Sequence, residues 1–139
     1  MKHPLLTAAL LTLALLLLPT LASAEDVIVT RHFTGLWDQA EHKSQGINLQ
    51  IVHQESGEKR GVAYWFTYGT DNQSAWFVGI GPATDNRIEM VLYQVQDVGF
   101  LEPGDNIEAT AVGTMTMEFS SCDHGDVEFE TDIPEVGSG

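Results

Sequence analysis

From residue 47 to residue 131 the apolar positions recur with a period of two. INLQIVHQ (47–54) sets Ile47, Leu49, Ile51 and His53 against Asn48, Gln50, Val52 and Gln54, the alternation of a strand with one buried face. After the turn ESGEKRG, VAYWFTY (62–68) predicts a second strand, and GTDNQ turns the chain into SAWFVGIG (74–81). PATDN closes that strand, and RIEMVLYQV (87–95) alternates again. GTMTMEFSS (113–121) puts Met115, Met117 and Phe119 on one face, and DVEFET (126–131) follows with acids on the other. VIVT (27–30) has the composition of an edge strand. Helical periodicity is missing from this part of the chain, so the pattern predicts an all-β fold: an antiparallel meander of six to seven strands forming a small barrel or strongly curled sheet. DVGFLEPGDNIEATAV (97–112) reads as a longer loop and the best candidate for a lid or rim. TDIPEVGSG contains no closing strand, which predicts either a domain that lacks its closing C-terminal strand or an edge blunted by Pro134 and the glycines.

The aromatic residues concentrate in YWFTYGTDNQSAWFVG (64–79), where Tyr64, Phe66 and Tyr68 share one face and Trp65 the other, and where Trp76 and Val78 oppose Phe77. In a sheet that curls on itself one set fills the interior while the other lies outside or at a rim. Core filling accounts for rings of this size, each of which removes ~150–250 Å² from water. Aromatic side chains at a barrel mouth also stack on sugars and flat apolar ligands. Trp37, Trp65, Trp76 and Tyr68 are therefore the candidate ligand-binding residues.

The first residues add a compartment. Lys2 and His3 precede the apolar run LLTAALLTLALLLL, which ends at Pro19 and is followed by LASA, the order of features that signal peptidase reads. Residues 1–24 are the expected signal peptide and residues 25–139 a single exported β domain, periplasmic or extracellular. The run is shorter than the ~20 residues of a membrane-spanning helix, and no second apolar segment follows it, so no membrane span is expected after cleavage.

Charge narrows the partners. Twenty acids face six lysines and arginines, a formal net charge of −14, and cleavage after Ala24 removes Lys2 as well. After Arg87 there is no Lys or Arg, while twelve acids follow. Nucleic acid and anionic membranes are disfavoured, since association would start from repulsion instead of counterion release.

Other candidate chemistry is sparse. Asp123 and Asp126, at either side of a turn, are a weak candidate pair for Ca²⁺, which prefers such oxygen ligands; a solvated acidic face explains the same residues, and no cofactor is otherwise implied. His32, His42, His53 and His124 form no H-x-H or H-E-x-x-H pairing. Cys122 is the only cysteine; burial, pairing between chains and a missing partner all account for it, with burial the simplest. Its neighbours Asp123 and His124 do not make a nucleophile pair, because adjacent strand residues point to opposite faces. No nucleophile elbow or oxyanion glycine pattern appears, so catalytic residues are not assigned. Asn72-Gln73-Ser74 matches a glycosylation acceptor.

A resemblance covers about residues 35 to 129. Gly35 and Trp37, the turn Gln45-Gly46, the strand with Trp65, Phe66 and Tyr68, the strand with Trp76 and Phe77, and the late pair Gly113 and Phe119 resemble the uncharacterised exported β-domain family of proteobacteria. Asp38, Gln39 and Ala40 stand where that family has an aromatic-Asn-Pro run, and Gln73, Ser74 and Ala75 where it has Gly-Pro before the tryptophan. The resemblance implies an exported β-rich fold and carries over no catalytic residues. Together these observations predict an exported, non-catalytic β domain that binds a small molecule, a glycan or a protein at an aromatic rim; the alternatives are a structural or envelope-associated module, and after it a secreted hydrolase.

Overall fold

The computed structural model describes residues 27–39, 41–95 and 109–139. The expected signal peptide and residues 97–108 of the expected loop lie outside them. A single 3-10 turn, Arg31–Phe33, precedes seven strands: β1 (Gly35–Trp37), β2 (Gly46–His53), β3 (Lys59–Tyr68), β4 (Ser74–Thr84), β5 (Arg87–Val95), β6 (Ala109–Phe119) and β7 (Gly125–Thr131). Each pairs antiparallel with the next, in the order β1-β2-β3-β4-β5-β6-β7. The result is one all-β meander, strongly curled into a half-barrel.

The period-two pattern decides which face turns inward. Ile47, Leu49 and Ile51 on β2, Ala63 and Trp65 on β3, Phe77 on β4, Ile88, Met90 and Leu92 on β5, and Met115, Met117 and Phe119 on β6 are all buried in one cluster. Their alternate neighbours face outward, since successive strand side chains point to opposite faces. Small residues set the curl. The inner positions Gly61, Gly79 and Gly81 face Ile88, Met90 and Leu92, and a Cβ on Gly81 would overlap the carbonyl oxygen of Glu89. Glycine at such a point lets two backbones approach where any side chain would hold them apart. A register shift between Leu92 and Tyr93, on the β5–β6 pair, adds to the bend.

Two chain segments correct the sequence reading. VIVT is not a strand: Val29 is fully buried, its N–H donates to the Asp85 carbonyl (2.6 Å), and its own carbonyl accepts from Lys59 Nζ (2.6 Å). A segment held by the β4–β5 turn and by a lysine stem covers the end of the half-barrel, whereas an edge strand would run along its side. Residues 109–112, read as loop, are the first residues of β6, because Thr110 and Ala111 pair with Gln94 and Tyr93 past the register shift.

The C-terminal residues pair with part of the last edge. Phe129 and Gly139 exchange backbone hydrogen bonds (2.7 and 3.1 Å), and Thr131 N–H donates to the Gly137 carbonyl (2.9 Å). The tail therefore folds back on β7 through a turn at Ile133–Gly137, where Gly137 takes a φ of 69°. It also crosses to the β3–β4 turn, where Thr70 N–H donates to the Glu135 carbonyl (2.7 Å).

Candidate functional site

The half-barrel stops before it closes: β1 and β7 are the two ends of the strand order. In the gap lies a cavity of about 870 Å³. Its walls come from the β1–β2 side (Trp37, Asp38, Gln45, Ile47), from β3 (Trp65, Thr67, Tyr68), from β7 (Gly125 to Phe129) and from the tail (Val136, Gly139).

Each wall residue is placed by a local interaction. Trp37 pairs opposite Ile47 on the inner face, and its indole Nε1 donates to the Phe33 carbonyl (2.9 Å). Its ring lies parallel to that of Phe33 and edge-on to that of Phe119, centroids 4.8 Å apart. Trp37 is thus half-buried, with its polar atom satisfied and its orientation fixed. Trp65 packs between Phe77 (5.2 Å) and Phe129 (4.6 Å) and is only 7% exposed. Beside it the buried Thr67 hydroxyl donates to Gln45 Oε1 (2.7 Å), which ties the residue before β2 to β3. Val127 and Phe129 share the inner face with Met117 and Met115, their partners on β6.

Of the four expected binding residues, the structure brings Trp37, Trp65 and Tyr68 to the same cavity. Trp76 is elsewhere: it stands directly opposite Phe66 on the outer face of β3 and β4, where the two are 46% and 52% exposed. Tyr64, Ile80 and Val91 continue that outer apolar band, and Tyr68, last in the same exposed row of β3, also borders the cavity. The aromatic set thus divides between the two faces. The wall residues that the sequence reading left out include Val127, Phe129, Val136 and the Gln45–Thr67 pair. The inward period of β7 was visible in DVEFET, but nothing local in the chain says that this strand ends opposite Trp65.

The acidic pair is not assembled as a cage. Asp123 sits in the β6–β7 turn, where it accepts from the Ser121 hydroxyl (2.6 Å) and lies 3.1 Å from His124 Nδ1. The hydrogen bond from Ser121 first, then that with His124, hold its carboxyl below the usual carboxylate range. Asp126 is one strand position inside β7, opposite Glu118, and lines the cavity. Among the described residues no group of three His, Cys, Asp or Glu side chains is arranged to hold a metal ion. Cys122, expected to be buried, is exposed in the same turn; β6 ends at the buried Phe119, and residues 120–124 form the loop to Gly125.

The cavity rim is electrically one-sided. Asp38, Asp126 and Glu128 line it, and no lysine or arginine does among the described residues. No family model, no curated protein and no solved structure matches the chain.

Proposed function

We propose that this chain is an exported, non-catalytic binding domain that takes its ligand in the open seam of the half-barrel, between β1–β3 and β7. The observation that carries the reading is the seam itself: a wide cavity in the one place where the sheet does not close, walled by Trp37, Trp65 and Tyr68 and rimmed by carboxylates. Cavities of ~300–1,000 Å³ that combine aromatic walls with a few polar groups are the usual form of ligand sites. The carboxylate rim favours neutral or cationic ligands over anions. Export rests on the leader, with its charged start, apolar run and LASA exit.

A second reading has its own observation. The outer band of Tyr64, Phe66, Trp76, Ile80 and Val91 supports an envelope-associated module that docks through its convex face. The two readings separate in one experiment. Neutral glycans, apolar small molecules and Ca²⁺ with a chelator control are screened by thermal unfolding, because a ligand of the folded state raises the midpoint. A shift that Trp37→Ala removes and Trp76→Ala leaves supports the seam. A shift with the opposite dependence transfers the function to the outer face.

A further inference from the structure

We infer that the outer face of β3 and β4 docks on an uncharged polysaccharide, whose sugar rings stack on the exposed aromatic row. The inference rests on the convex face being a docking surface, is independent of the seam, and names the chemistry of the partner.

The row itself is the first ground. Tyr64, Phe66 and Tyr68 stand at every second position of β3, and Trp76 stands opposite Phe66 on β4. All four point outward and are exposed, from 36% at Tyr64 to 52% at Phe66. Alternate residues of a strand lie ~6.6–7 Å apart, so the three rings of β3 line up over the length of a short run of sugar units. Each ring offers a flat apolar face to the C–H groups of a pyranose. The groups beside the row are polar without being charged. Asn48 on β2 pairs opposite Tyr64, and Ser74 on β4 opposite Tyr68, with Gln50 on the same outer face of β2. Amides and hydroxyls both donate and accept hydrogen bonds, as sugar hydroxyls do.

Charge is the second ground. The chain carries twenty acids, yet no outward position of β2, β3 or β4 within 48–52, 62–68 and 74–84 is charged. The outward acids lie to one side, with Glu118 on β6 and Asp126, Glu128 and Glu130 on β7. Arg60 and Arg87, which border the uncharged area, are already ion-paired, the first with Glu58 and the second with Glu89 and Glu118. An anionic polymer or bilayer thus meets repulsion from β6 and β7 and only neutralised arginines at the border.

Shape and size exclude other partners. A convex face touches its guest from one side only, so a single sugar gains little, whereas a polymer engages several rings at once. A stable protein interface takes ~20–30 residues a side, more than the uncharged outward positions of these three strands supply. A second copy of the chain would also bring the same excess of acids towards the first.

The test uses the protein as the cell processes it, with cellulose, chitin and mannan as neutral probes and polygalacturonate as the anionic counterpart. Expected are retention by at least one neutral polymer, indifference to added salt, and protection of Trp76 emission from acrylamide by the bound polymer. Phe66→Ala and Trp76→Ala each weaken retention by at least about tenfold, with unfolding curves that show the variants folded; Trp76→Phe, which keeps a ring, weakens it less. Equal retention by polygalacturonate, or retention that fades with salt, overturns the proposal. So does retention that Trp37→Ala removes and Trp76→Ala leaves, which assigns the polymer to the seam. If no polymer is retained but the protein binds phosphatidylcholine vesicles, or forms a concentration-dependent dimer, and Trp76→Ala abolishes either, the convex face stands as a docking surface and the polysaccharide falls. If it binds none of these and stays monomeric, both fall.

Discussion

The indole of Trp65 and the ring of Phe129 meet with centroids 4.6 Å apart, although β3 and β7 are separated by three intervening strands in the sheet order. The contact spans the interior and holds the curled sheet at its width, so the two rings contribute both apolar burial and closure. Trp65→Ala should lower stability by ~3–5 kcal/mol, the usual cost of emptying a buried aromatic site. Phe129→Ala, at a partly buried position, should cost less. Their double-mutant cycle, read by denaturant unfolding, should give a coupling of about 0.5–1.5 kcal/mol. Strict additivity would mean that the rings touch without supporting each other.

At Gly81 the packing of β4 against β5 leaves no room for a side chain. A methyl group there overlaps the Glu89 carbonyl, and backbone, unlike a side-chain tip, has no rotamer to move into. Gly81→Ala is expected to cost on the order of 3 kcal/mol by forcing the strands apart. Gly57→Ala, in open space but at a φ of 86°, should cost only ~1 kcal/mol from its left-handed backbone. Equal midpoints for the two variants in urea would refute the crowding argument.

Trp76 lies on the convex face opposite Phe66. Its replacement by Ala should change stability by no more than about 1 kcal/mol, the range of a single cross-strand pair. The same tryptophan should dominate acrylamide quenching, because Trp65 is buried and Trp37 half-buried. Trp76→Phe is expected to remove most of the readily quenched emission. Retention of that component would place an accessible indole in the seam instead.

The strand pattern was legible because it is a local property: alternation in INLQIVHQ and RIEMVLYQV depends only on which side of the chain meets water. It located β5 to the residue and divided Trp65 from its neighbours Tyr64 and Phe66. It did not locate VIVT, because Val29 is buried by Lys59 and the β4–β5 turn, and such end-on packing leaves no period. Nor did it group the candidate site. Trp37, Trp65 and Tyr68 share a cavity while Trp76 does not, a division set by register and curl. Those depend on small residues such as Gly81 and on a tail with no strand pattern of its own.

The carboxyl of Asp123 is exposed to solvent yet held below its usual range, chiefly by the Ser121 hydroxyl. Because the folded-state value is the lower one, its contribution to stability is present above the ordinary carboxylate range and fades as pH falls through that range toward the folded value. Ser121→Ala should raise the Asp123 titration midpoint, followed by NMR of its side-chain carbonyl carbon, and leave the unfolding midpoint at neutral pH almost unchanged. An unmoved titration would show that the β6–β7 turn, and not the hydroxyl, sets the proton affinity.

The tail braces the last strand. Removing residues 137–139 takes away the backbone partners of Phe129 and Thr131 on β7. Stability should fall by roughly 1–3 kcal/mol as the three backbone hydrogen bonds to β7 and the packing of Gly139 on the Phe129 ring are lost. Calorimetric unfolding of the shortened protein measures the loss, and an unchanged midpoint would mean that β7 holds its place on the β6 ladder alone.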